Sequence, residues 1–282
     1  MNTSRLQIAL MVLPGAGFIF LFLAAAMVMT VLQSVGIYRV VGPSQFTLAF
    51  WQGLFDKSFF DSFLFSLKVG LGSAMGTLLL SYPLALFLRR KRFGASVIGA
   101  IVKVPLFVPA LVAAFLILNM LAFHGLLNSG LLALGIIDTP LRLLNDKFGW
   151  NVLIIQVWKN LPFQLVILAS VLQTIRSDIE DAARNLGASP LQVVLHIILP
   201  LSIPGILIAV ALVFILSFGD YAITSIAGPI NPPSLPVLMY TRAFTRHDWD
   251  SAACIGLVIV FTSLLFVALY AWMARLLQGA GQ

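Results

Sequence analysis

Polar residues along this chain are gathered into short intervals, and between them run apolar stretches far longer than the core face of a soluble helix requires. Six such stretches, Ile8 to Leu32, Phe63 to Leu88, Val97 to Phe123, Trp150 to Leu172, Ile197 to Phe218 and Ala252 to Met273, have the length that crosses a bilayer. Their apolar residues come in blocks rather than alternating, and hydrocarbon offers an open strand no hydrogen-bond partners, so the pattern predicts helices. The first stretch exceeds the roughly 7 to 15 apolar residues of a signal peptide and reads as a membrane span. The expected fold is an all-α membrane protein, residues 1–282 forming one six-helix domain, with a helical loop at about 176–200 between the fourth and fifth spans.

Composition supports lipid as the solvent: 60% of the 282 residues are hydrophobic and only 10% are charged. A formal charge of +7 raises the question of nucleic acid, but the basic residues sit in short loops without interleaved aromatics, so a membrane topology accounts for them. Arg5, Arg89, Arg90, Lys91, Arg92, Arg176, Arg184 and Arg275 fall on one side, against Asp178, Glu180 and Asp181. Arg39, Lys57, Arg142, Lys147, Arg242 and Arg246 fall on the other, against seven acids. The first side is expected in the cytoplasm, with both termini there. Cys254, the single cysteine, lies in an apolar run and allows neither an intramolecular disulfide nor a cysteine metal site.

The loop from Arg176 to Pro200 carries two helix patterns where a short turn would suffice. Ser177 and Glu180 are spaced as a capping box, and Ile179, Ala182, Ala183 and Leu186 then repeat along one helical face. Gly187 stands where a helix ends in the left-handed conformation, and Ser189 with Pro190 supplies an N-cap and first-turn proline for a second helix. That helix carries Leu191, Val194, Leu195 and Ile198 until Pro200 is expected to interrupt it. A helix lying on lipid headgroups usually has a basic polar face. Here Asp178, Glu180 and Asp181 make the start acidic, so the glycine-bent knob reads as a docking element for another protein.

Asp181-Ala182-Ala183, three residues, Gly187, nine residues and Ile197-Ile-Leu199-Pro200 resemble the EAA loop of binding-protein-dependent ABC importer permeases, with Asp181 in place of the usual Glu and Glu180 beside it. The resemblance extends over most of the chain from about Phe46. It implies a bacterial inner-membrane permease whose coupling residues are Glu180, Asp181, Ala182, Ala183 and Gly187. The implied partners are cytoplasmic ATPase subunits, an extracytoplasmic substrate-binding protein and a second permease, expected to be a sister chain. No phosphate-binding loop occurs in the sequence, so ATP is expected on the partner and no cofactor in this chain. Hydrolase and metalloprotease motifs are equally missing, and His124, His196 and His247 are far apart in sequence, so no catalytic or metal residues are assigned. A channel or secondary transporter acting without ATP is the alternative from another class, and the 176–200 loop is what such a protein has no reason to carry.

Four polar or glycine features remain. Lys68 and Lys103 lie close enough to the ends of their runs to snorkel. Lys159, in mid-span beside Pro162, either lines the pathway, faces a partner or is paired inside the bundle. Asp220 is a substrate ligand or a solvated helix end. Gly72 and Gly76 have the spacing of close helix packing. The segments Gly135 to Arg142 and His247-Asp248-Trp249 are similar to permeases of the spermidine/putrescine subgroup, which implies a polyamine or similar small solute. A Lys159 facing the pathway would instead repel polyamines and suit a phosphonate or other anion, and aminoethylphosphonate, thiamine and ferric-ion importers of the same family are the alternative.

Overall fold

The computed structural model describes residues 5–89, 94–143 and 148–279, so Arg90, Lys91, Arg92 and Lys147 of the charge count lie outside the described residues. Among the described residues there is no strand, and six helical segments are long and apolar enough to cross a membrane: Leu13–Ser34, Lys57–Arg89, Ala110–Ala133, Trp150–Thr174, Pro190–Phe218 and Trp249–Leu276. The helices in chain order are α1 (Arg5–Ser34), α2 (Ala49–Leu54), α3 (Lys57–Arg89), α4 (Ala95–Val102), α5 (Ala110–Leu121), α6 (Leu126–Ala133), α7 (Trp150–Thr174), α8 (Ser177–Asn185), α9 (Pro190–Val193), α10 (Leu199–Phe218), α11 (Ala222–Ala227), α12 (Leu235–Tyr240) and α13 (Trp249–Gly279).

The third apolar stretch, expected as one helix from Val97 to Phe123, is broken. α4 stops at Val102, a 3-10 turn covers Val104–Phe107, and α5 begins only at Ala110. Two prolines cause this. Pro105 starts the tight turn, and Val108, immediately before Pro109, is held extended at φ −93° and ψ 120° because the proline ring clashes with a helical residue ahead of it. The spanning passage therefore runs through α5 and on through α6 to Ala133.

Pro200 does not interrupt the helix that contains it. α9 passes through a widened π turn at Val194–Ile198 directly into α10, so Pro190–Phe218 forms one apolar passage of 29 residues. The widened turn lies immediately before Leu199 and Pro200, where a proline ring would otherwise meet the carbonyl one turn back.

Contacts divide the chain into two compact units. One comprises Met1–Phe60 with Leu238–Val260, and Arg39 and Arg242 each have acidic partners inside it. Arg39 Nε bonds Asp250 Oδ2 at 2.8 Å while its guanidinium covers the Phe50 ring, and Arg242 lies 3.7 Å from Asp56 and 3.8 Å from Asp248. Gly36, at φ +74°, turns the chain after α1; a Cβ there would stand 2.5 Å from the Gln45 carbonyl oxygen.

The other unit comprises Asp61–Val237 with Phe261–Gln282. α7 is its axis, packed by α10, α5 and α11. Glycines bring the helices close: Gly72 and Gly76 of α3 face Leu153 and Val157 of α7, as their spacing predicts, and Gly70 faces Phe214 and Phe218 of α10. One apolar cluster gathers Phe65, Val69, Ala113, Ala114, Val152, Ile155 and Ile223; a second gathers Ala85, Leu165, Leu168, Leu172, Ile175, Val193, Ile198 and Ala209. The loop that follows α7 is built on the second.

Candidate functional site

Between α7 and α10 the chain makes two helical pieces joined at a corner. α8 ends in a Schellman motif: Gly187 sits at φ +88°, its N–H donates to the Arg184 carbonyl at 2.9 Å, and the Ala188 N–H donates to the Ala183 carbonyl at 3.0 Å. The second piece opens on Ser189, whose Oγ accepts the Gln192 N–H while the Gln192 side chain accepts the Ser189 N–H, a reciprocal capping box with Pro190 behind it.

The capping box expected at Ser177 and Glu180 does not form. Arg176 is the N-cap in extended conformation, Ser177 is already helical, and no side chain caps this end. Glu180 is drawn away by a stronger partner: the Arg89 guanidinium at the end of α3 donates to its Oε1 and, at 2.5 Å, to the Ile175 carbonyl, while Arg184 approaches Oε2 at 3.5 Å.

This pairing fixes which way α8 faces. Glu180 is buried and Ala183 packs on the apolar cluster behind the loop, whereas Ile179, Asp181, Ala182 and Leu186 are turned outward. The apolar face read from the sequence is thus split: its small member, Ala183, is seated inward, and Ile179, Ala182 and Leu186 form a ridge with Leu186 89% exposed. Leu191 is exposed on the second piece, while Val193 and Ile198 are buried. An exposed apolar ridge edged by Asp178 and Asp181 is a surface suited to another protein.

Lys159 is engaged within its own unit. Its ammonium donates to the Pro105 carbonyl at 2.6 Å and to the Val108 carbonyl, both at the break in the third passage; the Pro105 carbonyl also accepts the Val108 N–H at 3.3 Å. Asp220 closes no helix of its own: α10 ends at Phe218, and the Asp220 carboxylate accepts the Ile223 N–H at 2.8 Å and the Gln156 amide at 3.0 Å. Burial pushes the Asp220 carboxyl above the ordinary range, against the lowering pull of those donors. Lys68 lies over the Phe65 and Phe148 rings at 4.9 and 4.2 Å, and Lys103 is exposed.

Sequence reading missed the polar line inside α7. Gln156, Asn160 and Gln164, one turn apart, are all buried, and Asn160 donates to Gln156 Oε1 at 3.0 Å and to Ser217 Oγ of α10 at 3.1 Å. The i, i+4, i+8 spacing of amides within an otherwise apolar span was the available signal. Arg89 was also missed as an individual, because it stood at the head of a basic run.

Six spans with a glycine-cornered loop between the fourth and fifth are the arrangement that the importer-permease resemblance implied. The family model described as "Binding-protein-dependent transport system inner membrane component" matches residues 68–279, and the chain belongs to this family. It is a permease subunit of an ABC importer, a multi-pass protein of the inner membrane. Among its relatives, the spermidine/putrescine transport system permease protein PotB of Escherichia coli (strain K12) is 30% identical over 234 residues, covering 83% of this chain and 84% of that one. The molybdenum transport system permease protein ModB of Haemophilus influenzae is 30% identical over 232 residues, covering 76% of this chain and 94% of that one. The fold is also that of a solved bacterial alginate ABC transporter in complex with an alginate pentasaccharide-bound periplasmic protein, at a TM-score of 0.75 and 18% identity over 95% of this chain and 93% of that one.

Proposed function

We propose that this permease imports a polyamine or a similar small organic cation, delivered by an extracytoplasmic binding protein. Separate cytoplasmic ATPase subunits, which hold the ATP, dock on the ridge of α8, and a sister permease completes the membrane part. The single observation that carries the substrate class is the likeness to the spermidine/putrescine permease over most of both chains. Two features of this chain support it. The mid-span cation that would repel a polyamine is Lys159, and its ammonium is held on the Pro105 and Val108 carbonyls of its own unit. The segment Gly135 to Arg142 is pinned by Asn128, whose amide accepts the Leu141 N–H and donates to the Leu141 carbonyl, both at 2.9 Å.

On this reading α8 and both termini face the cytoplasm, since six spans return the chain to the side on which it starts. Asp220 is the acid we assign to the outer part of the pathway. The substrate is tested in proteoliposomes holding the whole complex, with ATP on the ATPase side and the binding protein outside. Labelled spermidine or putrescine is expected to accumulate, and excess molybdate or 2-aminoethylphosphonate is expected not to compete. Accumulation of either anion in place of the amines would overturn the substrate class while leaving the permease assignment untouched.

A further inference from the structure

We infer that Arg89 and Glu180 form a latch by which movement of the ATPase-docked loop is delivered to α3, so that Glu180 is a positioning residue facing the membrane domain rather than an ATPase contact. This deepens the docking role proposed above and rests on it.

The two neighbouring acids of the loop point in opposite directions. The Glu180 side chain is 9% exposed and paired, while Asp181 is 65% exposed and only approached by Arg184 at 3.5 Å. A carboxylate buried against a guanidinium is not available to a partner that binds from outside; Asp181 is. The division follows from helical geometry, because adjacent residues lie about 100° apart around the axis.

Arg89 joins three elements with one planar group. It is the last residue of α3, its Nη1 bonds Glu180 on α8, and its Nη2 bonds the carbonyl of Ile175, the residue that caps α7. A guanidinium holds such a forked arrangement rigidly, which an ammonium on a flexible stem does not. The rest of the inward face of α8 is Ala183, a methyl group with little to grip, so the charge pair supplies the firm connection between α8 and α3.

α3 is suited to receive a push at that end. It has 33 residues, about 50 Å at 1.5 Å per residue, and meets α7 and α10 through Gly70, Gly72 and Gly76, against which side chains of those helices press directly. Arg89 lies 13 residues beyond Gly76, about 20 Å of helix past the contact. Displacing the Arg89 end tilts the helix about its glycine contacts, whereas a loop resting on α3 by van der Waals contact alone can slip.

The test uses the full complex with ATPase and binding protein, comparing Glu180→Gln, Arg89→Gln, Arg89→Lys and Asp181→Asn. Both glutamine variants are expected to lower binding-protein-dependent uptake about ten-fold while the ATPase stays in the complex at the wild-type ratio, because each leaves a buried charge without its partner. Arg89→Lys keeps one of the two bonds and should fall between them and wild type, with uptake per ATP hydrolysed reduced. Asp181→Asn should behave in the opposite sense, losing ATPase from the complex first. The latch is overturned if Glu180→Gln sheds the ATPase while Arg89→Gln does not, which would make Glu180 a direct contact, or if both retain wild-type uptake. Should either glutamine variant fail to accumulate, Arg89→Lys decides: wild-type uptake per ATP in that variant contradicts the latch. A wild-type chain that retained no ATPase would instead remove the docking reading on which the latch depends.

Discussion

Gly205→Leu is expected to remove the permease from the membrane almost completely. Gly205 is buried in α10 against α7, and a Cβ built on it would stand 2.6 Å from one γ-methyl of Val171, closer still to the other, and 2.9 Å from the Val171 Cβ. Rotating Val171 does not clear the space, because both branches and the atom that carries them are in the way. Relief requires α7 and α10 to move apart, and these are the helices whose contact holds the Asn160–Ser217 bond and the apolar cluster beneath the loop. Overpacking of this kind costs about 3 kcal/mol, more than a hundred-fold in the folding equilibrium constant, and since about 1–2 kcal/mol already lowers abundance several-fold in the cell, about a tenth of the wild-type amount or less should be recovered. Gly130→Ala is the contrast: Gly130 is exposed in α6 with no atom within 4 Å of an added Cβ, so removing a helix-weakening glycine should leave the level unchanged or raise it. Quantitative membrane immunoblots of the two variants check both expectations.

Gly187→Val should do the reverse: leave the amount of protein alone and abolish most of its work. Gly187 lies at φ +88° with no atom within 4 Å of an added Cβ, so a side chain there collides with no neighbour and the whole penalty is in the backbone. That penalty is about 1 to 2 kcal/mol, and larger for a β-branched residue. It falls on the loop, which is outside the spans, and it is relieved by opening the corner between α8 and α9. The two Schellman bonds from Gly187 and Ala188 to the last turn of α8 are lost in that movement. The ridge of Ile179, Ala182 and Leu186 then no longer keeps its angle to Leu191. ATPase retention and uptake should fall roughly 5- to 30-fold, the equivalent of that penalty, at normal membrane levels. Gly187→Asn, whose side chain tolerates the left-handed region, should keep part of both. Full activity of the valine form would show that the corner does not set the docking geometry.

Much of this arrangement was legible in the sequence because the signals were local. The left-handed Gly187, the Ser189 cap with Pro190, and the glycine contacts of α3 each depend on a few neighbouring residues, and each is found where the spacing places it. That there are six spans was legible for the same reason, since a bilayer sets the length of each. What was not legible depended on partners distant in the chain. Glu180 satisfies the capping-box spacing, but the Arg89 guanidinium outcompetes a backbone N–H at a solvent-facing helix start. Lys159 reads as a stranded charge until the Pro105 and Val108 carbonyls are brought against it, and Pro105 and Pro109 are why the third span breaks. Pro200 looked like a stop because a proline in isolation is one; the π turn ahead of it is a backbone adjustment that no residue spacing announces.

The central claim, that the ridge of α8 is where an ATPase docks on the cytoplasmic side, is tested most directly by placing a benzophenone on Ala182→Cys. Cys254 is the chain's single native cysteine and is buried, so labelling can be directed to the new thiol. Ala182 is exposed at the centre of the ridge and takes no part in the Arg89–Glu180 pair or the Gly187 corner. In inside-out membrane vesicles the thiol should be modified by a membrane-impermeant reagent, and photolysis should join this chain to the ATPase subunit, with less product once Gly187→Val is introduced. Modification from the outer face only, or cross-links to the binding protein or lipid with none to an ATPase, would contradict the account.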